Sequence, residues 1–582
     1  MHEIMKQLRN HIYAAAVILL SAVNTEAHPY ASAVTNNNGQ IQFILNENAT
    51  QVTVTFNNGS VTNSLGALAK GSNGFSLGAH TNYAITVYKT GSGAFTQISS
   101  DSSNAVQFVA PRGVGVNNNP QRPNFGRIYV CSPWPSSATN ATGNGRSVGR
   151  GIYLLNADGS DAIGQGTNAL LGNIWIGTSY RYSPYRVFVG PDDSVYVADV
   201  AGSYTAGLSP GGTISYSAPG GGIWLASPDF SFTTNLFDTN QIGTVYDGVF
   251  GLYVTGSLAA SNLVITADEW TETGNTANAT FLTPPALWQY VYDSVTNPVP
   301  IATTPVGLFT VGLGINAVLG DMTVHPTTGY IYAQQDRTIA AGDPGTGTGE
   351  ANNNNAELYI YDSSGVTNLW ESGIGGSDVF DATYGIAISP DGNWLACATG
   401  FGTTIITHIT NGIPDLSTMV TNNEEAGPVS TSVLVSQRRG VVFDAADNVI
   451  ASLPQTPLGG NDNPNPSLPA VLREYSLGYT SIATTGNDST STNGTFSVIL
   501  LPPSPTIQSV AAVGTNTTLM WTSPVVYDST ASFVVQSASK VSGPYSDASP
   551  AATITQPGGV GTAFQATVPA NAPTTYYRIR HL

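Results

Sequence analysis

One pattern recurs six times between Phe108 and about Pro502: an aromatic residue, Arg or Gly, then a short apolar strand, a turn of Pro, Asp, Asn and Gly, and a second apolar strand. It runs from Pro111-Arg-Gly-Val-Gly-Val to Gly126-Arg-Ile-Tyr-Val, and again as Tyr185-Arg-Val-Phe-Val-Gly-Pro-Asp-Asp-Ser-Val-Tyr-Val-Ala-Asp199. Further copies begin at Tyr246, Gly320, Tyr384 and Arg439, so the units are spaced about 55 to 74 residues apart. Third strands carrying an aromatic follow in Gly151-Ile-Tyr-Leu-Leu, Gly222-Ile-Trp-Leu-Ala, Leu287-Trp-Gln-Tyr-Val-Tyr, Glu357-Leu-Tyr-Ile-Tyr and Leu472-Arg-Glu-Tyr-Ser. Repeated antiparallel four-stranded units have no place to bury their faces except against one another, and radial closure provides it while protecting the edges.

The predicted fold class is therefore all-β: a six-bladed β-propeller over 107–502, flanked by two β-sandwich domains at 28–106 and 503–582. The repeat resembles NHL-type and related six-bladed propellers across roughly 390 residues. The first flank alternates apolar and polar residues in Ile41-Gln-Phe-Ile-Leu-Asn, Gln51-Val-Thr-Val-Thr-Phe and Tyr83-Ala-Ile-Thr-Val-Tyr, with turns between. It resembles the immunoglobulin-like modules of bacterial surface and flagellar-hook-capping proteins. The second, with Trp521, Ser532-Phe-Val-Val-Gln-Ser and Tyr576-Tyr-Arg-Ile-Arg, resembles a fibronectin type III module.

Charge narrows the partners. Acidic residues number 36 against 18 basic ones, only 9% of the chain is charged, and Lys occurs four times. A net charge of −18 argues against nucleic acid and anionic membrane surfaces, which require clustered basic residues. Residues 1–27 read as a signal peptide: Lys6 and Arg9, an apolar run from Tyr13 to Val23, then small residues around Ala27. The expectation is a secreted protein, extracellular or at the cell surface, with no transmembrane segment. Cys131 and Cys397 occupy similar places in two repeats that are not neighbours, which predicts two buried thiols rather than a disulfide.

In a propeller the starts of inner strands and the ends of the next strands come out on one face, around the central channel. Reading those positions gives a ligand-binding mouth of Arg112, Trp134, Tyr185, Arg186, Tyr246, Asp268, Trp270, Arg337, Tyr384, Arg438 and Arg439. The propeller has eleven Arg and no Lys, and five of those Arg stand in this set. The mouth is thus expected to have a basic half from Arg438, Arg439, Arg112 and Arg186, and an acidic half from Asp247 and Asp321. Arg suits bidentate recognition of carboxylate or sulfate, and neighbouring aromatics suit sugar rings. The plainer reading of the same residues is that Arg and Asp pair with each other to close the ring.

Two chemistries compete with simple recognition. Asp247 and Asp321 on adjacent blades are a possible Ca²⁺ site, which leaves room for a Ca²⁺-dependent lactonase- or lyase-like enzyme acting on an extracellular carbohydrate-derived substrate. The Gly- and Asn-rich stretch 342–355 is a second, weaker Ca²⁺ candidate, more simply a surface loop. Histidine-rich zinc chemistry is disfavoured, since the propeller has only His325 and His408, and no nucleophile elbow, haem-attachment motif or phosphate loop occurs. The leading expectation is a non-enzymatic exported binding or scaffold protein that recognises a glycan or a surface protein through the mouth. A structural component of an extracellular layer is a further alternative.

Overall fold

The computed structural model describes residues 29–581 apart from positions within the connections, the longer such stretches being 133–150, 163–172, 175–183, 200–221, 237–245, 293–301, 309–317, 337–357, 373–379, 424–439 and 454–469. Residues 1–27, expected as a signal peptide, and the stretch 342–355 lie outside the described residues. No helix among the described residues is long and apolar enough to cross a membrane.

Six antiparallel sheets follow one another. Blade 1 is Val114–Val116, Ile128–Ser132, Gly151–Leu155 and Asn173–Ile174; blade 2 is Arg186–Val189, Val195–Asp199, Gly222–Ala226 and Thr233–Asn235. Blade 3 uses Tyr246–Thr255, Leu263–Thr273, Thr280–Tyr292 and Ala302–Leu308, and blade 4 Val318–Val324, Ile331–Asp336, Leu358–Tyr361 and Asn368–Glu371. Blade 5 comprises Thr383–Ile388, Trp394–Thr399, Thr403–Thr410 and Ile413–Asn423. Blade 6 has only three strands from its own repeat, Val441–Phe443, Val449–Leu453 and Ala470–Ser476. Its outer positions are filled by Thr96–Gln97 and Gln107–Phe108, which precede blade 1 in the chain. The ring is therefore closed by hydrogen bonds between the two ends of the propeller sequence.

The two-residue period of each strand assigns its two faces to two neighbours. In blade 1, Tyr129 and Cys131 join Val187, Val195 and Val197 of blade 2, while Ile128 and Val130 join Ile450 and Leu472 of blade 6. In blade 2, Tyr196 and Ala198 turn the other way, to Leu252 and Ile265 of blade 3. Further clusters join blade 3 to 4 through Tyr253, 4 to 5 through Tyr332 and Leu395, and 5 to 6 through Trp394 and Tyr475. Each blade is thus hydrophobic on both faces, and its core exists only between blades. Cys131 and Cys397 are buried without a disulfide, in the 1–2 and 4–5 clusters respectively.

In blades 2, 5 and 6 the turns at one end are short and closed by aspartate. Asp192, Asp391 and Asp444 accept the backbone N–H two residues on, from Ser194, Asn393 and Ala446 at 3.1, 2.9 and 2.8 Å, the Asx-turn arrangement. Outer turns repeat the device at Asp158, Asp229 and Asp362, each toward a serine. In blade 4, His325 takes the aspartate's place, its Nδ1 accepting from Thr327 and Thr328. Burial lowers the basicity of its ring, consistent with a neutral acceptor.

The N-terminal domain is discontinuous. Ala31–Asn37, Gln40–Leu45 and Gly71–Ser76 form one sheet. The facing sheet is Thr495–Leu501, Thr480–Asp488, Asn82–Lys89, Ala49–Phe56 and Val61–Leu68, in that order. Thr480–Leu501, expected in the propeller, therefore belongs to the first sandwich, with Ser481 opposite Lys89 and Asp488 opposite Asn82. The whole propeller is an insertion between two strands that pair side by side. Ile41, Phe43, Val52, Val54 and Ile85 form the sandwich core. That core continues into Phe125, Ala157 and Ala446, in turns of blades 1 and 6.

A group of ionisable side chains lies at the same junction. Lys89 Nζ is 2.8 Å from Glu47 and Lys70 Nζ is 3.5 Å from Glu474 of blade 6. Tyr30 hydrogen-bonds to Asp444. Burial pushes Glu474 up to about 8, Lys70 offsetting part of the effect and Asp444 and Glu47 adding to it.

The C-terminal region has two sheets, Thr506–Val513, Asn516–Thr522, Phe564–Pro569 and Thr553–Thr555 against Ser546–Asp547, Phe533–Ala538 and Tyr576–His581. Trp521 and Leu519 of the first sheet meet Phe533 and Val535 of the second, Trp521 lying 5.6 Å edge-on from Phe533.

Candidate functional site: the propeller mouth

The inner strands of blades 6, 1 and 2 approach one another at backbone distance. Gly113 N donates to Tyr185 O at 2.9 Å, Gly440 N donates to Ser452 Oγ at 2.7 Å, and Ser452 Oγ donates to Arg112 O. Glycine is required for this closeness. A Cβ at Gly113 would stand 2.5 Å from Tyr185 O, and one at Gly440 2.4 Å from Arg112 O, well inside van der Waals contact. Gly113→Ala is expected to force the blades apart at a cost of about 1–3 kcal/mol, as overpacking does, read as a lower midpoint in urea unfolding.

From blade 2, Arg186 extends to blade 4, its Nε donating to Asp321 Oδ2 at 3.1 Å. The same oxygen accepts Ile386 N of blade 5 at 3.2 Å, and Asp321 Oδ1 accepts Met322 N at 2.9 Å. Gly251 of blade 3 leaves the room, because a Cβ there would lie 2.4 Å from Asp321 Oδ1. The Arg186 guanidinium also lies 4.6 Å above the Tyr185 ring, a cation–π contact. Together these contacts tie the inner ends of the blades into one polar network. Both ionic side chains are buried, and burial pushes the Asp321 carboxyl up to about 6 despite the favourable charge of Arg186.

The sequence-predicted mouth residues divide into three groups. Arg112, Tyr185 and Arg186 are brought together but stand inside the wall, at 2%, 0% and 5% exposure, rather than on a rim open to a ligand. Tyr246, Asp247, Asp268, Trp270 and Tyr384 lie on the expected strands, at Tyr246–Thr255, Leu263–Thr273 and Thr383–Ile388, with side chains outside the described residues. Trp134, Arg337, Arg438 and Arg439 fall in connections outside the described residues.

The expected separation into a basic and an acidic half is corrected at Arg186 and Asp321, which pair directly. For the Ca²⁺ expectation, Asp321 is a poor ligand: three donors already hold its carboxylate, and a cation there would displace Arg186. Among the described residues no three His, Cys, Asp or Glu side chains converge in a way that could hold a metal. Sequence reasoning missed Ser452, Gly440 and Gly251, which the network needs as much as its charged pair. The Gly-Val-Gly spacing at Gly113 and Gly115 was the available signal, since strand interiors otherwise disfavour glycine.

No family model matches the chain, and no curated protein matches it. Solved structures do. One is a Bacteroides thetaiotaomicron protein of unknown function, 9% identical, covering 78% of this chain and 100% of its own, with a TM-score of 0.34. Kuenenia stuttgartiensis hydrazine synthase is 11% identical over 83% of this chain and 98% of its own, TM-score 0.31. The Dos1 propeller is 8% identical over 83% and 95%, TM-score 0.31. At these values the likenesses carry no functional argument, and the six successive sheets of the chain itself define the propeller.

Proposed function

We propose that the protein is an exported, non-enzymatic recognition or scaffold protein whose propeller mouth binds a glycan or a surface protein. The observation that carries this reading is the inequality of the two propeller ends. At the sandwich-facing end the inner turns of blades 2, 5 and 6 are short, at 190–194, 389–393 and 444–448, while that of blade 1 runs over 117–127. At the mouth end the chain spends 133–150, 200–221, 337–357 and 454–469 on connecting second to third strands. Long connections on a rigid scaffold are where binding residues concentrate.

Among the described residues, Arg186 and Asp321 are turned toward each other and toward backbone donors rather than presented to a ligand. Trp134 and Arg337 belong to these connections, and Arg438 and Arg439 to the 424–439 connection between blades 5 and 6, where an aromatic ring and guanidinium groups serve an acidic or sulfated sugar or an acidic protein surface.

The test is a glycan array probed with the mature chain and with a variant carrying Trp134→Ala, Arg337→Ala, Arg438→Ala and Arg439→Ala. Binding by the wild type that falls at least tenfold in the variant, about 1.4 kcal/mol, supports the reading. Binding that the variant retains in full places recognition elsewhere. With no glycan bound, the same two proteins are compared by crosslinking to surface proteins of the producing cell.

A further inference from the structure

The strand Thr506–Val513 sits at the edge of its sheet, hydrogen-bonded to Asn516–Thr522 on one side, with no strand on its other side among the described residues. Its register makes its exposure unusual. Val510 lies opposite Leu519 and Ile507 opposite Trp521, and both Leu519 and Trp521 are fully buried in the domain core. Cross-strand partners point to the same face of a sheet. Val510 and Ile507 therefore stand on the core-facing side, yet they are 59% and 41% exposed. Among the described residues the opposing sheet has three strands, and the strip stands exposed.

The strand is also chemically unguarded. Natural edges are blunted by Lys, Pro, bulges or inward charge; here Pro505 and a register shift between Ile507 and Ser509 stand at the strand's start, Ser509–Val513 carries neither, and no charged side chain occurs anywhere between Asp488 and Asp528. In a chain of net charge −18, this is a place where two copies meet without repulsion, and it offers nothing to a partner chosen by charge. Ser509, Ala511 and Ala512 are small enough to face their own kind across a two-fold axis.

We propose that Thr506–Val513 is a self-association edge, through which two copies pair antiparallel about a two-fold axis at Ala511. Val510 of each copy faces Ala512 of the other, and Ser509 faces Val513. The two four-stranded sheets become one continuous sheet, with both apolar strips on the same side. Such an isologous contact closes as a dimer rather than extending into a filament.

Sedimentation equilibrium of the mature chain over about 1–100 µM tests this, with Val510→Lys and Ala512→Asp as separate variants. The wild type is expected to be dimeric within that range. Each variant alone is expected to weaken the dimer at least about tenfold, because it sets like charges diagonally across the pair. An equimolar mixture of the two is expected to recover a heterodimer, since Lys at one position then faces Asp at the other. Recovery also shows that both variants are folded. A wild type that stays monomeric throughout, a dimer indifferent to Val510→Lys, or weakened variants that fail to recover on mixing would each overturn the proposal.

Discussion

Replacing Arg186 with Leu is expected to lower the unfolding free energy of the propeller by about 3–5 kcal/mol, the usual consequence of removing one partner from a buried ion pair. The cost comes from what remains. Asp321 is 6% exposed and keeps only the N–H groups of Met322 and Ile386, so it must take up a proton or hold an uncompensated charge. The companion Asp321→Leu strands the guanidinium in the same way. The double substitution removes both charges and is expected to recover most of the loss, because buried pairs replaced by apolar residues are often neutral in net effect. A double-mutant cycle in urea, followed by tryptophan fluorescence, measures the coupling. Additive losses, with no recovery in the double variant, would show that the pair is not what joins blades 2, 4 and 5.

The second large effect depends on pH and belongs to the junction of the sandwich with blade 6. Glu474 has its carboxyl raised to about 8 in the folded protein, chiefly by burial, against an ordinary value near 4.3. A group whose pKa is raised on folding contributes stability that is complete below the unfolded value and is lost as pH rises through the folded one. The Glu474 contribution to wild-type stability is therefore expected to fall across the window from about pH 4.5 to 8, by at most about 1.4 kcal/mol per unit and of order 4 kcal/mol in total.

Glu474→Gln removes this contribution, while Asp321 and Asp444, each raised to about 6 by burial, keep theirs in both proteins. The two proteins are expected to unfold alike at the acid end of the window, with the variant more stable by several kcal/mol at its alkaline end. Asp444 and Glu47 are the neighbouring carboxylates and Lys70 and Lys89 the neighbouring cations, and all four remain in both proteins. The pH-dependent difference between the two curves thus isolates Glu474. Parallel curves at every pH would mean that Glu474 is ionised in the fold and that Lys70 carries it fully.

The propeller was legible because its signal is periodic. Alternation in Ile128-Tyr-Val-Cys131 and Val195-Tyr-Val-Ala198 states that both faces of a strand are buried, and six such units leave radial stacking as the economical solution. Pairing partners across long separations were not legible. The alternation in Thr480–Asp488 is that of any half-buried strand, and nothing local says that its neighbour is Asn82–Lys89 rather than another strand of blade 6. The outer strands of blade 6, at Thr96–Gln97 and Gln107–Phe108, are two residues each, too short to show a period at all.

At the mouth, residue types and strand ends were readable, while burial and partners were not. Arg186 was placed correctly at a strand start, but whether it faces ligand or Asp321 depends on Gly251 of another blade. The junction charges left a faint trace in composition: of four lysines in the whole chain, Lys70 and Lys89 sit within one short domain.

The insertion of the propeller between two adjacent strands also sets an order of events during synthesis. Asn82–Lys89 emerges from the ribosome with one edge open, and the strand that covers it begins at Thr480, about 390 residues later. At roughly 5–20 residues per second, that interval lasts on the order of 20 to 80 seconds. Throughout it the half-built sheet presents Tyr83, Ile85 and Val87 on a nearly uncharged strand, and blade 6 gains its third strand, Ala470–Ser476, only at the interval's end. A sandwich begun before the propeller is thus finished only after it: a chain released before Ala470 has no clasp to close its ring, and one released before Leu501 has the clasp but an incomplete sandwich.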